Sequence, residues 1–395
     1  LFLAWKEAWN GFSLQGWLNI FLNIALFIPL GILLPLFSKR FRRFLPMLFT
    51  GTLLSFAIEL AQLIFIKGIS DIDDLFANIL GTMLGWGIIA FVMALAEHKA
   101  DWKKQFAKSI MIPVIFLAEM AVIFGAYYIK PYGNLSDAAT VRADLKDIQW
   151  TIDFPLSDAE NSEFVYEAGR LNKEKAESFI NEFSQNTGIE FPDTYYYDDL
   201  IIFADHSTGD FLNLNLNDGT WEYKNWRGRE FLFNTPPGQI TADELAQYLS
   251  DWGITVPDNA SFKMVSADDE GCFDVSFSSD KLDEQEEQMF YGTILCTFFE
   301  ENGKTLLKYM ENNMVSLKPV KEEMIISQEE ALNRLCDGTS FNGRILQYSK
   351  LNNIEVTASS IDWIVDTKGF YQPVYRFELM FSDGTNMTDY VPALK

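Results

Sequence analysis

Histidine and cysteine are scarce in this 395-residue chain. There are two histidines, His98 and His206, and three cysteines, Cys272, Cys296 and Cys336. No CxxC pair occurs, which excludes a thiolate zinc knuckle or a dithiol redox motif. Two histidines leave little material for a histidine metal cage or a Ser-His-Asp triad. No metal and no cofactor is therefore expected. Cys272 and Cys296 both fall in strand-like runs, so a disulfide between them stays open if that region is exported. A basic surface is lacking too: 31 Lys and Arg stand against 55 Asp and Glu, a net charge of −24. Phosphate binding needs the opposite balance, and a nucleic-acid partner is not expected.

Charge of either sign is sparse in the first third. Residues 1–129 hold 10 basic and 8 acidic side chains, whereas residues 130–395 hold 21 and 47. Two halves so unlike exclude a single globular domain. Four apolar stretches, 17–37, 44–66, 75–96 and 109–129, each reach the ~20 residues that cross a bilayer. Lys39, Arg40, Arg42 and Arg43 fill the first loop and Lys99, Lys103, Lys104 and Lys108 the third, while the second sets Lys67 against Asp71, Asp73 and Asp74. The positive-inside rule then puts the first and third loops in the cytoplasm and everything after residue 130 outside. The chain starts with Leu, and its first span enters from the outer side without an export signal, so at least one upstream helix is expected.

Polar residues inside these spans fall at one depth. Asn19 and Asn23 share a face near the outer end of the first. Glu59 and Gln62 lie one helical step apart near the outer end of the second. Asp71, Asp74 and Asn78 follow i, i+3, i+7 at the start of the third, where Ser70 with Asp73 forms a capping-box pattern. Dispersed in lipid these groups would cost several kcal/mol each, so one shared cluster is the cheaper arrangement. It is either interhelical hydrogen-bond glue, worth ~1 kcal/mol per contact, or a polar pocket open to the outer surface. Gly81 and Gly85 form GxxxG on the stripe of Asn78 and point to close helix packing. Pro29, Gly31 and Pro35 predict a kink in the first span. Glu119 sits at the middle of the fourth span, where an acid costs ~2.5–3.5 kcal/mol on insertion scales, and is expected to be neutral and satisfied between helices.

These residues resemble the VanZ-like family. The pattern reads Asn23-Ile-Ala-Leu-Phe27-Ile-Pro29-Leu-Gly31, then Ser55-x3-Glu59-x2-Gln62, then Asp71-Ile-Asp73-Asp74-x3-Asn78-x2-Gly81-x3-Gly85, over about residues 19–90. Where family members often carry Arg, three residues before the first Asp, this chain has Gly68 beside Lys67, a point charge without the bidentate fork. The resemblance implies a Gram-positive membrane protein linked to resistance against glycopeptides of teicoplanin type. It implies no established chemical step. Membrane lipids, a lipid-linked cell-wall precursor or the glycopeptide itself are the partners it brings into view.

The acidic remainder predicts a linker over 130–163 and three α+β units, 164–237, 238–320 and 321–395. Helices are expected over 173–185, 242–252 and 328–336, with capping boxes at Thr241/Glu244 and Ser327/Glu330. Strand-like runs follow each: 199–204, 209–215 and 220–224; 272–279 and 291–299; 344–349, 354–365, 372–382 and 386–392. Leu214-Asn-Leu216-Asn-Asp218-Gly219-Thr220 is echoed by Met380-Phe-Ser-Asp383-Gly384-Thr385. Residues 325–393 resemble PepSY or YycI-type extracytoplasmic modules. Asp205-His206-Ser207 reads as a hairpin tip, since a triad needs groups converging from separate elements. Glu284, Glu286 and Glu287 read as a solvated acidic loop. Trp221, Tyr223 and Trp226 read as sheet core and edge, with carbohydrate stacking as the lesser alternative.

The expected fold is thus a membrane all-α helical bundle of four visible spans, followed by a soluble α+β region of repeated helix-plus-antiparallel-sheet units. The expected protein sits in the cell membrane as a multi-pass chain with its C-terminal part extracellular, open to a protein partner. An outer-leaflet pocket of Asn19, Asn23, Glu59, Gln62, Asp71, Asp74 and Asn78 is its candidate site. A membrane enzyme acting on a lipid phosphate or saccharide is the alternative, and an envelope sensor is a third reading.

Overall fold

The computed structural model describes the chain outside residues 1–2, 66–71, 98–101, 136–144, 146–147, 160, 231–234, 266–270, 280–288 and 339–352. It divides into two compact units, Leu1–Arg142 and Ala143–Lys395.

The first unit is all helical: α1 (Leu3–Gly11), α2 (Leu14–Phe37), α3 (Phe44–Phe65), α4 (Ile72–Glu97) and α5 (Trp102–Ile129). Stretches of α2 to α5 are long and apolar enough to cross a membrane, matching the four expected spans. The short α1 was not expected, because it is too brief to carry a span signal. Ser13 stops it from running into α2: its hydroxyl accepts from the Gly16 N–H at 3.1 Å as an N-cap. Phe12, at φ 41°, turns the chain there and stacks on Tyr127 of α5, ring centroids 3.4 Å apart. Trp5, Trp9, Trp17 and Phe124 complete an aromatic group at this end, as a bilayer interface favours. Helix α2 runs unbroken through Pro29 and Pro35.

α2 and α4 pack backbone to backbone. Gly81 faces the Ile24 carbonyl, Gly85 the Ile28 carbonyl and Gly31 the Thr82 carbonyl, and a Cβ at any of the three would collide with main chain. The contacts advance in step, so the two helices run the same way. Between α3 and α4 the approach is made by Gly51, which faces the Thr82 side chain. Close backbones of this kind are the main attraction left to helices in lipid, where apolar burial against tails gives little.

The second unit is a mixed sheet of many strands with helices. It comprises β1 (Gln149–Ile152), β2 (Ser162–Ala168), α6 (Lys173–Thr187), β3 (Asp193–Tyr196), β4 (Leu200–Asp205), β5 (Asp210–Asn215), β6 (Trp221–Glu230) and α7 (Ala242–Asp251). There follow β7 (Ser261–Val265), β8 (Phe273–Ser279), β9 (Met289–Glu301), β10 (Lys304–Asn312), β11 (Val315–Met324), α8 (Gln328–Cys336), β12 (Asn353–Val365), β13 (Phe370–Phe381) and β14 (Asn386–Pro392). The three helices form where they are expected. Asn172 caps α6 and left-handed Gly188 ends it, Thr241 and Glu244 make a full capping box, and Ser327 accepts from the Glu330 N–H. The expected strand over 344–349 lies outside the described residues, as does the acidic loop of Glu284, Glu286 and Glu287.

One sheet runs through the whole unit, in the order β1-β12-β13-β2-β11-β9-β10-β6-β5-β4-β3, with β14 on β13 and the β7-β8 pair on β9. All pairings are antiparallel except β1 with β12. The expected linker is therefore partly structured: residues 149–152 form β1, and β2, which begins at 162, pairs with both β11 and β13. Helices α6 and α7 pack over one half of the sheet, around Phe183, Tyr223, Leu245, Leu249 and Phe298. Helix α8 covers a second core with Leu332, Leu335, Val356, Phe377 and Val391. The Tyr371 hydroxyl crosses from one half to donate to Asp218 at 2.9 Å. Cys272 and Cys296 are both buried and form no disulfide; Val275, three residues on from Cys272, sits opposite Cys296 in the ladder. Burial pushes the Cys336 thiol up to about 11.

Asp210 is 1% exposed. Burial alone would raise its carboxyl, but donation from Tyr223, Thr208 and Asn225 and the Arg229 charge at 3.1 Å outweigh it and hold the group below the ordinary carboxylate value. A depressed folded-state value stabilises the fold above the unfolded value, about pH 4, and the contribution is lost as pH falls through the folded value. Asp210→Asn is expected to cost about 3 kcal/mol at pH 7 and to flatten the acid limb of stability, read from urea unfolding between pH 3 and pH 7. An unchanged midpoint would show that the buried cluster contributes nothing.

Candidate functional site

The site is built on the contact between α3 and α4. Three positions on each helix recur every four residues and so share a face. Gly51, Ser55 and Glu59 lie on α3; Thr82, Asn78 and Asp74 lie on α4. Gly51 faces Thr82. One turn along, Asn78 Nδ2 donates to Ser55 Oγ at 3.0 Å. The next rung of this antiparallel ladder sets Glu59 alongside Asp74, and Asn23 of α2 reaches across to donate through Nδ2 to Asp74 Oδ1 at 2.5 Å. Glycine-mediated approach of α2 to α4 brings a side chain as short as asparagine within reach. Thr82 closes the deep end by donating to the Asn78 carbonyl at 3.0 Å.

Burial separates this group from the lipid-facing surface. Ser55 and Thr82 are fully buried, and Glu59, Asp73 and Asn78 are nearly so. Asp73 serves α1: its carboxylate accepts the Ala4 N–H at 2.7 Å, an acid on a helix N-terminus. Two buried carbonyl oxygens, Gln62 Oε1 and Asn78 Oδ1, have no hydrogen-bond partner among the described residues. An orphaned buried acceptor costs about 1–3 kcal/mol, so each of the two, one on α3 and one on α4, marks a place where a donor is wanted. The ladder is rich in acceptors: two carboxylates, two free amide oxygens and a hydroxyl.

Of the sequence candidates, the structure thus brings Asn23, Glu59, Asp74 and Asn78 into one ladder, with Gln62 on the same face of α3. Asn19 is exposed and accepts instead from Gln15 at 3.1 Å within α2. Asp71, with Ser70, Lys67 and Gly68, lies outside the described residues. Ser55, Asp73 and Thr82 take part although spacing alone did not single them out as site residues. The signal for Ser55 and Thr82 was present as the four-residue step from Glu59 and from Asn78. Asp73 was masked by its place in an acidic run. Glu119 is not satisfied between helices: it is exposed and lines a groove between α4 and α5.

The second unit offers less chemistry. Asp205 accepts from the N–H and hydroxyl of Ser207 and from the Thr208 N–H, which closes the hairpin tip and holds its carboxyl below the ordinary value. Trp221 and Tyr223 are core; Trp226 alone of the three is exposed, at 77%. Among the described residues, no three His, Cys, Asp or Glu side chains converge as a metal site requires.

Residues 1–93 match the family model described as VanZ/LLP1. No curated protein matches the chain. The matched segment contains α1 to α3 and nearly all of α4, hence the whole ladder; this first quarter of the chain is similar to VanZ/LLP1 proteins, and with the four apolar helices the likeness points to a multi-pass membrane protein. The match ends before α5, and the PepSY or YycI likeness of the C-terminal part rests on its sequence pattern alone.

If the Asn23–Asp74 bond fixes α2 on α4, then Asn23→Ala and Asp74→Ala should couple. The double-mutant cycle, read from thermal unfolding in detergent, is expected to give about 1 kcal/mol. Strict additivity would place the two groups apart.

Proposed function

We propose that this VanZ-type protein holds a donor-rich headgroup at the outer leaflet of a Gram-positive cell membrane, and by that hold weakens glycopeptides of teicoplanin type. The observation that carries the reading is that two buried amide oxygens, Gln62 Oε1 and Asn78 Oδ1, lack a hydrogen-bond partner on the same two helices that bear the buried Glu59 and the Asp74 carboxylate. Hydroxyls, amides and amines supply what these atoms lack. A bare phosphate brings only more acceptors and charge of the same sign. The fitting ligand is therefore a saccharide-peptide headgroup on a lipid, or the sugars and amine of an acylated glycopeptide. Either has an apolar tail that stays in the bilayer, so only the polar end has to be drawn into the ladder.

Topology supports the location. Lys39, Arg40, Arg42 and Arg43 between α2 and α3, with Lys99, Lys103, Lys104 and Lys108 before the apolar part of α5, put those ends in the cytoplasm. The end of α3 and the start of α4 then face outward, and the acidic second unit is extracellular. Its net charge suits a basic or neutral protein partner over a polyanion.

The test is protection of a susceptible Gram-positive host expressing the full chain. Glu59→Ala, Gln62→Ala and Asn78→Ala should each drop protection against teicoplanin to the level of the empty host, at unchanged membrane abundance. Full protection by these variants would remove the proposal.

A further inference from the structure

The span Met111–Ile129 in α5 is the barest of the four. Only 6% of it is buried within the chain, against 44% for Asp73–Ala96 of α4. Beside it runs a groove of about 890 Å³, walled by side chains such as Trp5, Phe76, Leu80, Phe116 and Ile123, in which Glu119 is the one ionisable lining residue. Glu119 lies ~12 Å from one end of the span and ~15 Å from the other, at 1.5 Å per residue. It has no hydrogen-bond partner among the described residues and is exposed. A carboxyl at this depth, facing hydrocarbon, is among the least tolerated groups in a membrane, and such groups are normally met by another helix. An acyl chain in the groove offers neither donor nor acceptor.

We propose that a second copy of this chain docks against α5, and that the two Glu119 carboxyls pair across a twofold axis along the membrane normal. The symmetry sets the chemistry. A residue that lies on such an axis faces its own copy at its own depth, so there only a self-complementary group is satisfied. A neutral carboxyl is one, being donor and acceptor at once; lysine or arginine would not be. The surface next to it permits the approach. Ala118, Ala121 and Gly125 fall on one stripe of α5, Ala118 and Ala121 are exposed, and a Cβ on Gly125 would meet nothing within 4 Å. The Ala121-x3-Gly125 spacing is the small-residue step that lets helix backbones come together in lipid. The interface is separate from the ladder of Glu59, Asp74 and Asn78, so it stands or falls independently of the ligand reading.

The experiment uses the full chain in lipid nanodiscs, with two differently tagged copies co-expressed and their co-capture measured. Wild type should co-capture, and Glu119→Gln should keep it, since an amide also donates and accepts. Glu119→Leu should lower co-capture at least ~10-fold, and Gly125→Leu should do the same by holding the helices apart. Loss of fold does not confuse the result for Glu119→Leu, because leucine at a lipid-facing position removes a polar group from hydrocarbon. A photo-crosslinking residue at Val122 should give a product of twice the chain's mass. A monomeric wild type, undiminished co-capture by Glu119→Leu, or a crosslink to lipid or to a different protein would each overturn the proposal.

Discussion

The membrane unit depends on two helices touching without side chains between them. Gly31, Gly81 and Gly85 let the backbones of α2 and α4 meet, and that separation fixes how far a polar side chain on α2 must reach to meet α4. Asn23 spans the gap to Asp74 at 2.5 Å; a wider gap would leave both groups unsatisfied in a medium that offers no water. Gly51 plays the same part between α3 and α4. The glycines are thus the reason that groups on three helices meet at one level.

Given that geometry, the chemistry of the ladder follows from which lone pairs are used. Ser55, Asn23 and the Asn78 amide nitrogen are engaged, whereas the amide oxygens of Gln62 and Asn78 are not. Each open end costs free energy that a partner's donor would recover. In the proposed function this acceptor-rich group is half of a contact whose other half brings donors. In the second unit the Asp210 carboxylate is met by Tyr223, Asn225, Thr208 and Arg229, and the open valence there is a donor, Arg229 Nε, instead of an acceptor.

Much of this was legible in the sequence, where the physics is local. The four spans follow from runs of apolar residues, and α7 and α8 from caps at Thr241 and Ser327. The polar depth in α2, α3 and α4 came from counting residues from the loop ends. Three things were hidden. The bond from Ala4 to Asp73 joins residues 69 apart, and no periodicity signals it. Asn19 shares a helix stripe with Asn23, yet it sits where the face turns outward, and only packing decides that. The strand order of the second unit was equally out of reach. Residues 164–168 open the first expected α+β unit without a predicted strand, but Val165 and Tyr166 become core once β2 lies between β11 and β13, a pairing of segments some 150 to 200 residues apart.

The central claim is that the open amide oxygens recognise a donor-rich headgroup. Native mass spectrometry of the full chain in detergent, offered an acylated glycopeptide of teicoplanin type alongside phosphatidylglycerol, tests it directly. The account predicts that the wild-type chain retains the glycopeptide at collision energies that strip the phospholipid, and that Gln62→Leu loses this preference. Equal retention of both, or a preference for the phosphate lipid, would contradict it.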